Sequence, residues 1–236
     1  MTTEELEELK KTMDVIITKT FTRLEKVYLN HKEGFSDTLL LSPSEDESRL
    51  VFPAYYYNES GKKIAKETRI SEQELRFAFV EEFNYYCREN KINLFYSVET
   101  PTKDTYSDFS TNPKQNPNGR SAEFDMVIYD ENLYRVCLIE FKANNADEVD
   151  HKKDFLKLDR DEGDNDSVLR YFIEIAKSYS DKTISSLKEK KFKFKGKLTQ
   201  VRCFALEGKS SRKTKNIGED ISDKFKDILP FDYTHE

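Results

Sequence analysis

The sequence predicts an α/β protein, a three-layer sandwich in which helices flank a central mixed β-sheet, with an N-terminal helical extension. Two runs rich in branched and aromatic residues, 122–129 and 133–142, flank the turn signal Asp130-Glu131-Asn132 and predict a β-hairpin. Helical periodicity begins at Ser71 before this hairpin and returns between it and a further strand predicted at 198–206. A helix between two strands is typical of a crossover within one sheet, which favours a mixed sheet.

Length and composition fit a globular chain. The 236 residues suffice for one large domain or a domain with an appendage, and 13% aromatic residues supply a core despite 36% charged residues. No apolar run is long enough to span a membrane and the opening residues lack the features of a signal peptide, so we expect a cytoplasmic protein. Cys87, Cys137 and Cys203 lie in apolar segments without metal-ligand spacing, which indicates buried thiols in a reducing compartment.

The first quarter of the chain is predicted to extend the main domain. Apolar residues recur at intervals of three and four over 3–29, which predicts an amphipathic helix. Its apolar face is expected to pack on the domain, and the alternative is a homodimer formed through this helix. A loop at 31–48 and a strand at 49–57 follow, and the domains are placed at 1–60 and 61–236.

The segment from Ser71 predicts a second helix, with Ser71 as its N-cap and Glu74 at the capping-box position. The next predicted strand, 92–100, is expected to stop at Pro101. The stretch 102–120 has turn chemistry without periodicity, which predicts a long loop that is a candidate to contact a substrate.

Alternation of side chains along the hairpin gathers charged groups on one face. Glu140 and Lys142 point to the same side of the second strand, and the expected register places Asp125 opposite Leu138 on that side. A strand that is apolar on both faces is normally covered on both, so these charges are expected at the rim of a core. Two interpretations are open. Two carboxylates hold a divalent cation beside a lysine that orients or deprotonates a water, or the charges form a cross-strand salt bridge.

A resemblance to a known family bears on that choice. Asp125, followed by an apolar strand that ends in Glu140-Phe141-Lys142, resembles the D…ExK core of the PD-(D/E)xK, or restriction-endonuclease-like, nuclease superfamily. Phe124 stands where the family name has a proline. The resemblance covers about 71–206 and implies the restriction-endonuclease-like core fold.

The resemblance implies a Mg²⁺- or Mn²⁺-dependent nuclease that acts on nucleic acid, expected to be DNA. It implies that Asp125, Glu140 and the backbone carbonyl of Phe141 hold the metal ion, while Lys142 positions or deprotonates the attacking water. Such nucleases usually carry a glutamate on the helix before the sheet, and Glu74 matches that role best, as a ligand of a second ion through water. The alternative role of Glu74 is helix capping.

A short helix predicted at 150–158 follows the motif. Families of this type often add polar residues from that helix, so His151, Lys153, Asp154 and Lys157 are candidates for phosphate or water contacts. The alternative is an ordinary solvated helix face.

The C-terminal third is predicted to contain a helix at 166–189, a strand at 198–206 and a terminal helix at 219–229. The alternating run 191–195 between them fits either an edge strand or a frayed helix end. Net charge is −6, yet 182–215 holds twelve basic and two acidic residues, which makes it a candidate track for phosphates. The candidate nucleic-acid contacts are Lys153, Lys157, Lys191, Lys193, Lys195, Arg212 and Lys213.

Three other functions remain open at this point. The chain is a binding module that holds nucleic acid without cutting it, a partner-binding protein whose charged cluster is a salt bridge, or a metal-dependent enzyme on another substrate. Two carboxylates near a phosphate are not needed by a pure binder, and this argues against the first of them.

Overall fold

The computed structural model describes residues 2–33, 49–59, 63–107, 114–144, 148–161, 167–193, 199–209 and 218–225. The helices are α1 (Thr3–Glu33), α2 (Glu72–Asn90), α3 (Glu148–Arg160) and α4 (Asp181–Lys193), and a 3-10 helix covers Ser222–Phe225. The strands are β1 (Ala54–Glu59), β2 (Lys63–Thr68), β3 (Phe95–Ser107), β4 (Lys114–Gln115), β5 (Arg120–Tyr129), β6 (Arg135–Ala143), β7 (Leu169–Ala176), β8 (Gln200–Ala205) and β9 (Glu219–Asp220).

The main sheet is mixed and has seven strands in the order β4-β3-β5-β6-β7-β8-β9. Strands β3, β5 and β6 are antiparallel neighbours, and β5 and β6 form the predicted hairpin. Strands β6, β7 and β8 run parallel to each other, with α3 and α4 in the two connections. Strands β1 and β2 pair as a separate antiparallel ribbon.

Helices cover both faces of the sheet. Buried side chains of α1 and α2 share one hydrophobic cluster with Met126, Ile139 and Ile173 of the sheet. Buried side chains of α3 and α4 share a second cluster with Leu138 and Phe172. Because successive residues of a strand point to opposite faces, β6 and β7 contribute to both clusters. The predicted α/β class and the mixed sheet between helices are confirmed.

Helix α1 is part of the same core as the sheet. Its buried apolar residues are Leu9, Met13, Ile16, Ile17, Phe21, Leu24, Val27 and Tyr28. The predicted division at residue 60 does not separate two cores, and it falls between the paired strands β1 and β2. The apolar face of α1 is covered within the chain, so it offers no support for the homodimer that was the alternative.

Two predictions in the first half of the sheet were wrong in their bounds. Strand β3 continues past Pro101 to Ser107. Pro101 is paired with Glu123 of β5, and β4 pairs with β3 only further along, so among the described strands one side of β3 is unpaired at the proline. Much of the predicted loop 102–120 is therefore sheet, and 108–113 lies outside the described residues. The strand predicted at 49–57 begins at Ala54, and its partner β2 was not predicted. The loop predicted at 31–48 is helical at 31–33, where α1 continues, and its remainder lies outside the described residues.

The predicted helix at 166–189 was wrong in its first half, where β7 is a central strand. Every residue from Arg170 to Ala176 is buried, and a short, largely apolar run fits a covered strand as well as a helix. The prediction of a terminal helix at 219–229 was also wrong in its first residues, where β9 and the 3-10 helix pack on β8. Residues 226–236 lie outside the described part of the chain. Among the described residues, no helix is both long enough and apolar enough to cross a membrane.

Candidate active site

The charged residues of the hairpin meet where β5 and β6 come closest to α2 and α3. Met126 pairs with Ile139 and Val127 with Leu138, so Asp125 lies across from Glu140 and not from Leu138 as expected. The predicted register was off by two residues, because a register shift follows Ile128 next to the turn. A shift by an even number of residues keeps each side chain on its predicted face, so Asp125, Glu140 and Lys142 still lie on the same face of the hairpin.

Asp125 connects three elements through its carboxylate. Its Oδ1 accepts a hydrogen bond from Arg76 Nη2 of α2 at 2.8 Å, and its Oδ2 accepts one from the backbone N–H of Phe141 at 2.7 Å. The neighbouring edge strand bends at this level, since Glu99 has a φ of 49°. Asp125 is therefore held in place by charge and by a backbone donor of the next strand.

Glu140 is the most deeply buried carboxylate of the group, with 1% of its surface exposed. Its Oε1 lies 2.5 Å from Lys157 Nζ, but the geometry is poor for a hydrogen bond, so charge attraction holds this oxygen among the described contacts. Burial raises the pKa of Glu140 well above its ordinary value, helped by Asp154 and Asp125 and opposed by Lys157 and Lys142. A cation close to Glu140 is thus needed to keep it ionised.

Lys142 lies in the same cleft with acidic partners on two helices. Its Nζ is 2.9 Å from Asp154 Oδ2 of α3 and 3.4 Å from Glu72 Oε1 of α2, and it donates to the Phe141 carbonyl at 3.2 Å. Burial alone would lower the pKa of Lys142, but Asp154, Glu140 and Glu72 outweigh it and raise the pKa above its ordinary value. Lys142 is therefore an ammonium at neutral pH.

Asp154 and Lys157 complete the interior of the cleft from one face of α3. Lys157 Nζ lies 3.1 Å from Asp154 Oδ1 and donates to the Glu123 carbonyl at 2.8 Å. Burial would raise the pKa of Asp154, but Lys157 and Lys142 lower it below its ordinary value. Asp154 is the shared counter-ion of both lysines.

These side chains border an open cleft of about 450 Å³. The cleft is lined by Glu99, Arg120, Ser121, Ala122, Glu123, Phe124, Asp125, Glu140, Lys142, Lys153, Asp154 and Lys157. Its interior holds more carboxylates than cations, since Glu72, Asp125, Glu140 and Asp154 face Lys142, Lys157 and Arg76. An additional cation would balance this excess.

The structure brings Asp125, Glu140 and Lys142 together, but it does not bring Glu74 to them. Glu74 accepts a contact from the Ser71 hydroxyl and lies 3.4 Å from Arg69 Nη2. The acid of α2 that reaches the cleft is Glu72. The capping box expected as the alternative is not formed either: Ser71 is the N-cap of α2 but makes no side-chain cap hydrogen bond, and its hydroxyl contacts the Glu74 carboxylate.

The other predicted contacts are distributed differently. Lys153 lines the cleft, whereas Lys157 is buried inside it. The solvated-face interpretation of α3 was wrong for the buried residues His151, Asp154 and Lys157, and His151 stacks near Phe172. Lys191 and Lys193 belong to the last turn of α4, as the frayed-helix alternative expected; their side chains, and all of Lys195, Arg212 and Lys213, lie outside the described residues.

The sequence reasoning missed Glu72 and Arg76. Both lie near the start of α2, four residues apart, and a spacing of four places two side chains on the same helix face. The sequence analysis gave this face no role in the site. The sequence feature that could have revealed them is their charge: Glu72 and Arg76 lie on one helix face, and each could pair with an opposite charge of the hairpin.

The donor chemistry of the cleft fits a hard divalent cation by kind. Asp125 and Glu140 supply carboxylate oxygens and Phe141 supplies a carbonyl, but each of them is held by a cation or a donor of the chain. Within the described ranges, no group of three or more His, Cys, Asp or Glu side chains is arranged to hold a metal ion. A set of two carboxylates suits Mg²⁺, which takes its remaining ligands from water and phosphate.

Fold and site together define an α/β protein with a mixed sheet and a buried, acid-rich ion-pair network in a cleft lined mainly by β5, β6 and α3. No protein-family model matches the chain, and neither a curated protein nor a solved structure matches it. The function therefore has to be inferred from the residues of the cleft.

Proposed function

We propose that the protein is a Mg²⁺-dependent nuclease that hydrolyses phosphodiester bonds, with DNA as the expected substrate. The observation that carries the proposal is the meeting of Asp125, Glu140 and Lys142 in one cleft with an excess of carboxylates. Mn²⁺ is expected to replace Mg²⁺, since both take oxygen ligands.

The order of elements supports the same proposal. Helix α2 is followed by the three antiparallel strands β3, β5 and β6, then by helix α3 and the parallel strand β7. This order agrees with the core that the D…ExK resemblance implies. The acidic pair lies at the centre of that unit and not on a peripheral segment.

The residues that would hold the ion are Asp125, Glu140 and the Phe141 carbonyl. When bound, the ion polarises the scissile phosphate and lowers the pKa of a bound water. Asp125 is oriented by Arg76 and by the backbone N–H of Phe141, so one carboxylate is aimed before the ion arrives. Glu140 is carried by β6, whose position is fixed by strands on both sides.

Lys142 would act as a fixed positive charge beside the reacting phosphate. Its raised pKa favours positioning of the attacking water and stabilisation of developing negative charge over deprotonation of that water. Removal of one such electrostatic contact commonly costs about 2.7–4 kcal/mol of barrier lowering. Asp154 and Glu72 hold the Lys142 ammonium from two helices.

Substrate would reach the cleft from its open side. Arg120 and Lys153 line it and are the described basic residues that suit phosphate contacts, while Glu99 and Glu123 line it with negative charge. A cleft of mixed charge favours a contact local to the scissile phosphate over a broad coating of the nucleic acid.

The test is a cleavage assay with wild-type protein, Glu140→Gln and the control Glu131→Gln, whose residue lies in the exposed turn of the hairpin. Linear, circular and single-stranded DNA and RNA are each incubated with Mg²⁺, with Mn²⁺ and with EDTA. We expect wild type and Glu131→Gln to cleave with either metal, Glu140→Gln to be inactive, and EDTA to stop cleavage.

Two results would contradict the proposal. Cleavage that persists in Glu140→Gln would place the chemistry elsewhere or in a contaminant. Binding of nucleic acid without cleavage under every metal condition would favour the non-cleaving binder.

A further inference from the structure

We propose that Lys157 is the internal cation of the metal site: it holds Glu140 in the metal-free protein, and a divalent ion binds there only by displacing it. Lys157 therefore sets the metal affinity of the cleft. This inference rests on the proposed function, because it takes Glu140 to be a metal ligand.

The surroundings of Lys157 are those of a cation site built from oxygens. Its Nζ lies 2.5 Å from Glu140 Oε1 and 3.1 Å from Asp154 Oδ1, and it donates to the Glu123 carbonyl at 2.8 Å. Its side chain is 5% exposed, and the ammonium also lies 5.9 Å from the centre of the Phe124 ring. An ammonium has three donors and here finds three oxygens, two of them charged.

A divalent ion on Glu140 would compete with this ammonium for the same carboxylate. Two cations a few ångströms apart repel each other strongly in a partly desolvated site, so Glu140 Oε1 cannot serve both at full strength. The ammonium need not leave the cleft, because Asp154 and the Glu123 carbonyl still hold it.

The two lysines of the cleft therefore have separate tasks. Lys142 is paired with Asp154 and Glu72, so its position does not depend on a contact with Glu140. Lys157 is paired with Glu140 itself. Loss of Lys157 should change the affinity of the cleft for the ion, whereas loss of Lys142 should change the rate of hydrolysis once the ion is bound.

The experiment is a calorimetric titration of Mn²⁺ into wild type, Lys157→Met and the control Lys152→Met at about pH 8, above the ordinary carboxyl range, because a high pH favours the ionised form of Glu140 despite its raised pKa. Lys152 lies on the same helix but is not among the residues that line the cleft. We expect Lys157→Met to bind Mn²⁺ roughly tenfold or more tightly than wild type, since one repelling charge is gone from the cleft, and Lys152→Met to bind like wild type. A variant that merely damaged the fold would not gain affinity.

Other outcomes separate the two proposals. Equal or weaker binding by Lys157→Met, with clear binding by wild type, overturns the role of Lys157 and leaves the metal site standing. No binding by any of the three proteins overturns both.

If Lys157→Met does not fold without metal, because Glu140 has lost its cation, its thermal unfolding is followed with and without Mn²⁺. Recovery of folding with Mn²⁺ supports displacement, and no recovery at concentrations that saturate wild type overturns it.

Discussion

Asp154 is the carboxylate on which both lysines of the cleft converge, and its removal should be costly. Asp154→Asn leaves Lys142 and Lys157 short of a charged partner inside a buried site, and breaking such a network costs about 3–5 kcal/mol. The pKa of Asp154 is lowered in the folded protein, so its stabilising effect is complete above the ordinary value of 3.8 and is lost as the pH falls through the lower folded value. Urea unfolding of wild type and Asp154→Asn from neutral to acid pH measures the difference between their free energies of unfolding. We expect that difference to become smaller only in strong acid.

The control for this prediction is Glu99→Gln. Glu99 lies 3.5 Å from Arg76, but its side chain is 67% exposed, and exposed ion pairs contribute about 0–1 kcal/mol. An equal loss of stability in both variants, or a difference that vanishes well above pH 3.8, would show that Asp154 is not the buried counter-ion described above.

Glu72 and Glu74 give a matched pair that tests which acid of α2 serves the site. Under the proposed function, Glu72→Gln should lower kcat roughly 10- to 100-fold with little change in Mn²⁺ affinity, because Glu72 pairs with Lys142 and not with the proposed ligands Asp125 and Glu140. Glu74→Gln should keep wild-type kcat, because its partners are Ser71 and Arg69. Steady-state kinetics with a calorimetric titration check both, and the opposite ranking of the two variants would restore the original prediction for Glu74.

The residues of the site were predictable where alternation along a strand decides them. Glu140 and Lys142 share a face because they are two apart on one strand, and Asp125 joins them for any even register. Their cationic partners were not predictable, since Lys157 and Arg76 come from helices whose rotation about the sheet depends on packing. A charged helix face looks solvated in the sequence until the sheet beneath it is known to be charged as well.

Helix α1 is an integral layer of the domain, and its largest side chains should be as important as those of the sheet. Phe21 is 1% exposed and its ring stacks on Phe204 of β8 at a centroid distance of 5.1 Å. Phe21→Ala should therefore cost about 3–5 kcal/mol of unfolding free energy. The control Val15→Ala, at a residue that is 38% exposed on the same helix, should change stability by less than about 1 kcal/mol.

Denaturant unfolding measures both variants. A small effect of Phe21→Ala would mean that α1 is only loosely attached and would reopen its role as an interface between copies. A large loss confined to Phe21→Ala would establish that the chain needs α1 to complete one face of the sheet.

Helices α1 and α2 and the β5–β6 hairpin were predicted well, and the central strand β7 was not. Helices α1 and α2 show a clear apolar stripe, and the β5–β6 hairpin shows strong strand composition. Strand β7 lies at the centre of the parallel part, where both faces are covered, so its apolar residues follow no single period. Pro101 led to a wrong strand end for another reason: among the described strands, β3 is paired on one side only at this residue, and an unpaired strand edge tolerates a residue that lacks an N–H.

The main sheet of the molecule has a separate hydrophobic cluster on each face, and this raises the question of whether the two faces unfold together. Cys137 of β6 belongs to the cluster under α1 and α2, while Cys203 of β8 belongs to the cluster under α3 and α4. Both thiols are buried and free, and burial raises the pKa of each, which suppresses the reactive thiolate. The two cysteines therefore report on the two faces of the same sheet.

We expect both thiols to resist alkylation in the native protein and to become reactive at the same denaturant concentration, because β6 and β8 are joined through the central strand β7. Cys87, with a pKa raised to about 11 by burial and 8% exposure near the end of α2, should be labelled earlier through local fraying. Pulse alkylation across a guanidinium series, with peptide mass spectrometry to assign each site, gives the three transitions separately. If Cys203 reacts at clearly lower denaturant than Cys137, the α3–α4 face opens first; the cleft, whose Asp154 and Lys157 come from α3, would then lose its interior charges before the sheet unfolds.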